Sequence, residues 1–375
     1  MRLRKVDRRT TRRPATLAAT LALGLLVGIP MSLPETAASA ASPTFSAAEF
    51  DVPSGLAFGG GHLWVTNQAG NSLTEIDPST GAWMGTFKSA NYGLDHPTAI
   101  TDAGPDLFVA NGAGSLSEVR ASDGTVVRTI SGHGFGFVHP IAIAAAGHTL
   151  LVLNAGRPSA SPAVAGSLTE IDARTGRLLR RVAGSSFAFD DPAALTVSGS
   201  HAYVADEASD SVTEIDTTSG TLVRVVADQG LSAPDGIAAA DGHVWVADSG
   251  SNAATELDAV TGAVIGTFND SAGQYGFGSP SVAIESAGNV FIASPFGTSP
   301  MVTKVSATSG APSWYMCNTN GPYYFSLLSA FAVSGDTLWV ASRSGANSKT
   351  PGAKTGSLTE LNTGTGALIT TLPLQ

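Results

Sequence analysis

The chain has 375 residues, of which 13% are charged, 7% are aromatic and 43 are glycine. This length suffices for a large core, and the many glycines with few charges indicate short strands and tight turns rather than helices. The formal net charge of −10 argues against the basic surface that nucleic-acid binding requires. The single cysteine, Cys317, cannot form an internal disulfide, so the fold must rest on packing.

The first 40 residues have the layout of a secretory signal peptide. The basic segment "MRLRKVDRRTTRRP" precedes an apolar stretch from Ala15 to Ile29, which is too short to span a bilayer. Small residues, Ala38 and Ala40, follow in the form that signal peptidase requires. We therefore predict cleavage after Ala40 and a secreted protein without a membrane anchor. Residues 41–52 would lead into a domain that spans residues 53–375.

One six-residue motif recurs seven times along the rest of the chain. "SLTEID" at residue 72 returns almost unchanged at 167, 211 and 357, and in looser form at 115, 253 and 301. The sixth copy has Lys304 in place of the central glutamate, and successive copies lie 42 to 56 residues apart. A recurrence at this interval is the mark of a repeat protein.

Each repeat contains four predicted strands. The first follows a proline, as in "HPTAI" at 96, and the second is rich in β-branched and aromatic residues, as in "HLWVTN" at 62. The third strand is the motif itself, and turns such as "DPSTG" lead into a fourth, as in "TVVRTI" at 125. Seven four-stranded antiparallel units predict an all-β fold, a seven-bladed β-propeller.

The repeated glutamates are predicted to be architectural. Neighbouring blades cover both faces of a third strand, and a buried carboxylate persists only when it is paired or hydrogen-bonded. We expect the carboxylate to find the same donor in every blade. A functional role would require one copy to differ from the rest, and the six are alike: Glu75, Glu118, Glu170, Glu214, Glu256 and Glu360.

With "LWVTN" and "NSLTEIDPSTGAWMGTF" in view, residues 51–375 resemble the YVTN-type propellers, whose repeats carry a YVTN-like second strand and an S-x-ID-x-x-T-G third strand. They are also similar to NHL repeats and to the streptogramin (virginiamycin B) lyase-like group. The latter resemblance implies a metal-supported histidine with a Glu-x-His pair, and no Glu-x-His occurs in this sequence. Propellers of these families serve in catalysis, partner binding and envelope scaffolding, so the fold does not choose between them.

Two insertions predict which face of the propeller is functional. The loops that join second to third strands share a face with the linkers between blades, because consecutive strands are antiparallel. The insertions "GRPSASPAVAGS" and "RSGANSKTPGAKTGS" in the third and seventh repeats lie on this loop-bearing face, as do the aromatic linkers. The opposite, plain face has only tight turns. Function on the loops of a rigid scaffold is the usual arrangement, so we expect ligand binding on the loop-bearing face.

Three groups of candidate ligand-binding residues lie on that face. The ends of the second strands either ring a polar ligand or cation, or form Asx-type turns: Asn67, Asn111, Asn154, Asp206 and Asp248. A pair of histidines stands before inner-strand prolines near the channel mouth, with two aspartates close by: His96, His139, Asp191 and Asp235. Aromatic residues of the last linker either line the face or pack as filling: Trp314, Tyr323 and Tyr324. Four other histidines begin second strands on the plain face and are predicted to be structural: His62, His148, His201 and His243.

Two functions are compatible with these observations. The favoured one is a secreted, monomeric binding or scaffold protein, without enzymatic activity or cofactor, that recognises a protein, an envelope or extracellular polymer, or a small molecule. The alternative is a lyase or lactone hydrolase that holds a divalent cation at the channel mouth through His96, His139 and Asp191 or Asp235.

Overall fold

The computed structural model describes residues 50–157, 159, 163–227, 229–269, 275–296, 299–318, 325–343 and 356–372. They form seven antiparallel sheets of four strands, and each sheet is built from strands that are consecutive in sequence. The predicted seven-bladed β-propeller is therefore confirmed. The predicted signal peptide and most of the lead-in lie outside the described residues.

The first four blades each consist of four consecutive strands. Blade one contains β1 (Pro53–Gly59), β2 (His62–Asn67), β3 (Ser72–Ile76) and β4 (Trp83–Phe87). Blade two contains β5 (Pro97–Ala103), β6 (Asp106–Asn111), β7 (Ser115–Arg120) and β8 (Val126–Ile130). Blade three contains β9 (Pro140–Ala146), β10 (Thr149–Asn154), β11 (Ser167–Asp172) and β12 (Leu178–Val182). Blade four contains β13 (Pro192–Ser198), β14 (His201–Asp206), β15 (Ser211–Asp216) and β16 (Leu222–Val226).

The last three blades follow the same plan. Blade five contains β17 (Pro234–Ala240), β18 (His243–Asp248), β19 (Ala253–Asp258) and β20 (Val264–Asn269). Blade six contains β21 (Val282–Ser286), β22 (Asn289–Ser294), β23 (Met301–Ser306) and β24 (Pro312–Cys317). Blade seven contains β25 (Leu328–Ser334), β26 (Thr337–Ser342), β27 (Ser357–Asn362) and β28 (Leu368–Leu372). Single turns of 3-10 helix lie in three linkers, at Ala90–Tyr92, His133–Phe135 and Ser185–Phe187.

The burial of each strand follows from its place in the blade. Every residue of β3 is buried, as is every residue of β2 after His62, because neighbouring blades cover both faces. The outer strand β8 alternates between half-buried and exposed residues until Ile130. Second and third strands therefore show continuous apolar stretches, and the two-residue period of a half-covered strand appears only at the rim.

The ring closes without exchange of a strand between its ends. The inner strand β25 contacts β1, just as each other inner strand contacts the next. Across this boundary, Ser329 Oγ donates a hydrogen bond to the Pro53 carbonyl at 2.7 Å, and the Gly356 N–H donates to the Phe50 carbonyl at 2.7 Å. A shared apolar core completes the closure, with Phe50 and Leu56 packed in one cluster with Trp339.

In blades one to five the buried glutamate is paired, but the predicted single donor is wrong. Arg224 Nε lies 2.7 Å from Glu214 Oε2, and His201 Nδ1 lies 2.8 Å from Oε1 of the same carboxylate. Both donors are within reach because Arg224 is the direct cross-strand partner of Glu214 on β16, whereas His201 stands diagonally opposite on β14. Either position can therefore supply the hydrogen-bond donor.

Blades one, two, three and five each use one of these two positions. Arginine is the partner in blades two and three, at 2.5 Å for Arg128–Glu118 and 2.8 Å for Arg180–Glu170. Histidine is the partner in blades one and five, in the pairs His62–Glu75 and His243–Glu256. Burial raises the pKa of Glu170 to about 6, although the Arg180 charge opposes this rise. His148 lies one residue before β10, so the prediction that it begins the second strand is off by one residue.

Candidate functional site

The inner strands enclose a cavity of about 740 Å³ at the centre of the ring. Residues from loops between second and third strands contribute to its lining, namely Gln68, Pro295, Phe296 and Arg343. These loops place the cavity at the loop-bearing face. The site is therefore the mouth of the propeller channel.

Seven structurally equivalent residues form a ring around this cavity. Each follows the proline that opens an inner strand, or Leu328, which takes the place of that proline in blade seven. In every blade except the sixth, the strand register skips the residue, so it forms a β-bulge. The members of this bulge ring all line the cavity: Ser54, Thr98, Ile141, Ala193, Asp235, Ser281 and Ser329.

One side of the bulge ring holds neighbouring blades together. Ser54 Oγ donates a hydrogen bond to the Pro97 carbonyl at 2.7 Å, and Thr98 Oγ1 donates to the Pro140 carbonyl at 2.9 Å. Ser329 makes the same contact at the closure between blades seven and one. In blades three to five the equivalent residues are isoleucine, alanine and aspartate. They have no hydroxyl group, so this hydrogen bond between blades is not repeated there.

Asp235 is the one ionisable residue among the seven members of the bulge ring. Its side chain is half-buried, and burial raises its pKa to about 6. The neighbouring Glu207 carboxylate adds to this rise, while the Arg343 guanidinium opposes it. A carboxylate that is costly to ionise in a cavity marks a functional-site candidate.

Two exposed apolar side chains, Phe296 and Leu327, form what we call the lip of the cavity. Phe296, in the loop after β22, is 54% exposed, and Leu327, just before β25, is 42% exposed. Both line the cavity. Phe296 and Arg343 were not among the residues predicted from the sequence. Arg343 directly follows the second strand of blade seven, and Phe296 lies two residues after the second strand of blade six.

The structure brings only two of the four predicted channel-mouth residues to the cavity. His139 and Asp235 line it. His96 and Asp191 are exposed and do not contribute to the lining, and His96 Nδ1 lies 2.8 Å from Asp95 Oδ1 instead. Within the described ranges, no three histidine, cysteine, aspartate or glutamate side chains lie close enough to hold a metal ion.

The predicted residues at the ends of the second strands are buried inside the blades rather than in the channel. Asn67 Nδ2 donates to Thr74 Oγ1 at 2.9 Å, and Asn111 Nδ2 donates to Ser117 Oγ at 3.0 Å. Asn154 Nδ2 donates to the hydroxyl of Thr169 at 3.1 Å. These bonds join the second strand to the third within one blade, so they are neither contacts to a ligand nor the Asx-type turns of the structural alternative.

The two aspartates at the ends of second strands accept hydrogen bonds within their own blades. Asp206 accepts hydrogen bonds from the backbone N–H and the hydroxyl of Ser209, which is an Asx-type turn. Asp248 accepts a bond from the Thr255 hydroxyl, and burial raises its pKa to about 6.

Trp314 packs between blades six and seven. Its ring lies 5.9 Å from that of Phe291, and its Nε1 donates to the Thr363 carbonyl at 3.4 Å. The packing alternative therefore describes its contacts. Tyr323 and Tyr324 lie outside the described residues.

Comparisons with known proteins identify the fold and nothing finer. No family model and no curated protein matches the sequence. The crystal structure of the computationally designed Ika8 protein matches with a TM-score of 0.60 and 15% identity, over 87% of this chain and 88% of that one. The crystal structure of BamB from Moraxella catarrhalis matches with a TM-score of 0.51 and 16% identity, over 79% of this chain and 81% of that one. Among the described residues, no helix has the length and apolar character needed to cross a bilayer.

Proposed function

We propose that the protein is a secreted binding protein that recognises a protein or an extracellular polymer at its loop-bearing face, with one group of the ligand inside the channel mouth. The propeller fold fits a binding or scaffold role. The observation that supports the proposal most is the cavity of about 740 Å³, because all seven blades and four inter-strand loop residues contribute to its lining. Ligand sites are usually concave and have volumes of about 300–1,000 Å³, a range that includes this cavity.

The lip of the cavity suits a partner larger than the cavity itself. Phe296 and Leu327 expose apolar surface beside the opening, and large exposed apolar side chains at a site rim are typical of protein contacts. The two insertions predicted from the sequence follow Asn154 and Ser342, the ends of second strands on this same face.

The enzymatic alternative receives no support from the contacts of the described residues. It requires His96, His139 and an aspartate to act on one metal ion, and His96 does not line the cavity with His139. We therefore carry forward the binding function alone.

A cavity-filling variant tests this proposal. A ligand library is screened by thermal shift, because a ligand that binds only the folded state raises the melting temperature. Ala193→Phe places an aromatic ring at the bulge ring of blade four, whereas Val260→Phe adds the same ring to a plain-face turn, where Val260 is 78% exposed. We expect ligand-induced stabilisation in the wild type and in Val260→Phe and its loss in Ala193→Phe. Stabilisation that persists in a folded Ala193→Phe variant would overturn the proposal.

A further inference from the structure

Polar and apolar residues are unevenly distributed around the cavity lining. Blades one and two each contribute one inner-strand residue to its lining, Ser54 and Thr98, and both hydroxyls are engaged between blades. Blades three to six contribute longer stretches of inner strand, residues 141–142, 193–195, 235–237 and 281–283, which we name the aliphatic arc. The arc is apolar apart from Asp235 and Ser281.

Asp235 lies within this arc, and the charges that act on it are those of one cation, Arg343, and one further carboxylate, Glu207. Among the described residues its carboxylate makes no hydrogen bond. When both carboxylates are ionised, they carry two negative charges against the single positive charge of Arg343, so one negative charge remains in excess. Since a partly buried carboxylate is unfavourable unless it is paired, the arc is complementary to a cation.

The residues around the carboxylate define what kind of cation fits. An ionised Asp235 can only accept hydrogen bonds, and a primary ammonium group offers three donors. Ile141, Leu195 and Ile237 line the same cavity and offer aliphatic surface, which favours a methylene chain rather than a hydrated metal ion. No three metal-ligating side chains lie together within the described ranges.

We propose that the aliphatic arc binds a primary alkylammonium group, with the ammonium paired to Asp235 and its methylene chain against Ile141, Leu195 and Ile237. This inference rests on the proposed function and names the chemistry of the group that enters the channel. A lysine side chain of a protein partner and a free aliphatic amine share this chemistry.

Calorimetric titration of the purified protein tests the inference. n-Hexylamine is compared with two probes of the same chain length, neutral 1-hexanol and anionic hexanoate. We expect hexylamine to bind and to exceed both others in affinity by about tenfold or more, because only it can pair with the carboxylate. Affinity should also rise from ethylamine to hexylamine as methylenes are added. The inference is overturned by hexanol or hexanoate binding as tightly as hexylamine, or by the absence of hexylamine binding.

Two matched variants assign the effect to this carboxylate. Asp235→Asn keeps the shape and removes the charge, and Asp102→Asn makes the same change on the inner strand β5, near its plain-face end. We expect hexylamine affinity to fall about tenfold or more in Asp235→Asn and to stay unchanged in Asp102→Asn. Equal affinity in wild type and Asp235→Asn overturns the inference.

A further pair of titrations separates the sources of the ligand and the two proposals. Nα-acetyl-lysine methylamide binding at least as tightly as hexylamine points to a lysine side chain, and weaker binding points to a free amine. If the library ligand is lost in Ala193→Phe while Asp235→Asn binds hexylamine as the wild type does, the ammonium site fails and the cavity proposal stands. Library-ligand binding retained in Ala193→Phe removes the cavity proposal itself.

Discussion

The side-chain Oδ1 of Asn71 accepts a hydrogen bond from the backbone N–H of His96 at 2.7 Å, across the boundary between blades one and two. Asp210 makes the same contact with Ala233, and Asn252 with Ser279, each at 2.7 Å. His96, Ala233 and Ser279 all precede a proline and have a positive φ, between 44° and 53°. This conformation is unfavourable for residues other than glycine, so the bond fixes a strained turn at the point where the chain enters an inner strand.

Loss of this inter-blade bond should destabilise the fold. We expect Asn71→Ala to lower the free energy of unfolding by about 1–2 kcal/mol, because the His96 N–H loses its acceptor next to a left-handed residue. Asn91→Ala is the control, since Asn91 is exposed and lies in the linker of the same boundary. Chemical denaturation of both variants measures the difference, and equal stabilities would refute this role for Asn71.

The paired glutamates should matter for stability and leave binding intact. Glu214→Ala removes the carboxylate that both His201 and Arg224 contact, so we expect a loss of about 1–3 kcal/mol in the free energy of unfolding. The affinity for hexylamine should not change, because Glu214 lies in β15 and not in the cavity lining. A Glu214→Ala protein with wild-type stability and lost binding would contradict the architectural role.

The raised pKa of Asp235 gives stability a defined dependence on pH. Because the folded-state pKa of about 6 exceeds the usual value of an aspartate, ionisation costs stability above pH 6, and this cost is absent below the unfolded-state pKa near 4. Asp235→Asn should therefore raise the free energy of unfolding at pH 8 by about 1–2 kcal/mol, a figure reduced for partial exposure. The gain should vanish near pH 4.

Urea unfolding at the two pH values, with Asp102→Asn as the matched carboxylate control, measures this effect. A gain that is the same at pH 4 and pH 8 would show that Asp235 is not destabilised by its charge. The predicted pattern would mean that the protein keeps a destabilising residue at the centre of its cavity, as functional sites commonly do.

Ring closure should depend on the close approach at Gly356. A Cβ at this position would come within 2.2 Å of Pro53 Cδ and 3.1 Å of Phe50 Cβ, across the boundary between blades seven and one. We expect Gly356→Ala to cost about 1–3 kcal/mol, because blade seven must shift against blade one. Gly364→Ala, in the exposed turn after β27, meets only the side-chain oxygen of Asn362 at 3.2 Å and should cost less. Equal melting temperatures for the two variants would show that closure tolerates the extra methyl group.

Repetition explains why so much of the fold could be predicted. Seven copies of one motif determine the number of blades, and the tight turns determine that their strands are antiparallel. The donors of the glutamates could not be predicted, because His201 and Arg224 lie on two different strands that come together only when the blade forms. The contacts that close the ring could not be predicted either, because the hydrogen bond from Ser329 to Pro53 joins residues from opposite ends of the propeller sequence.

Asp235 shows how the candidate site could have been found more directly. The repeated glutamates are alike and so mark no single blade, and Asp235 was predicted only as a neighbour of the two histidines. An alignment of the seven residues that follow the inner-strand proline would have shown one carboxylate among small, hydroxyl and aliphatic residues. These residues face the channel because, in every blade except the sixth, each forms a bulge in its inner strand. The sequence alone does not reveal this bulge.

Hydrogen–deuterium exchange with and without a bound ligand tests the central claim, that the channel mouth is the binding site, most directly. Binding in the cavity should slow exchange in the inner-strand segments 192–198 and 234–240, because the ligand would cover the bulges and restrict opening of these strands. The plain-face turns at 77–82 and 216–221 should exchange as before. Protection confined to those turns, with the inner strands unchanged, would place the ligand on the opposite face and contradict the account.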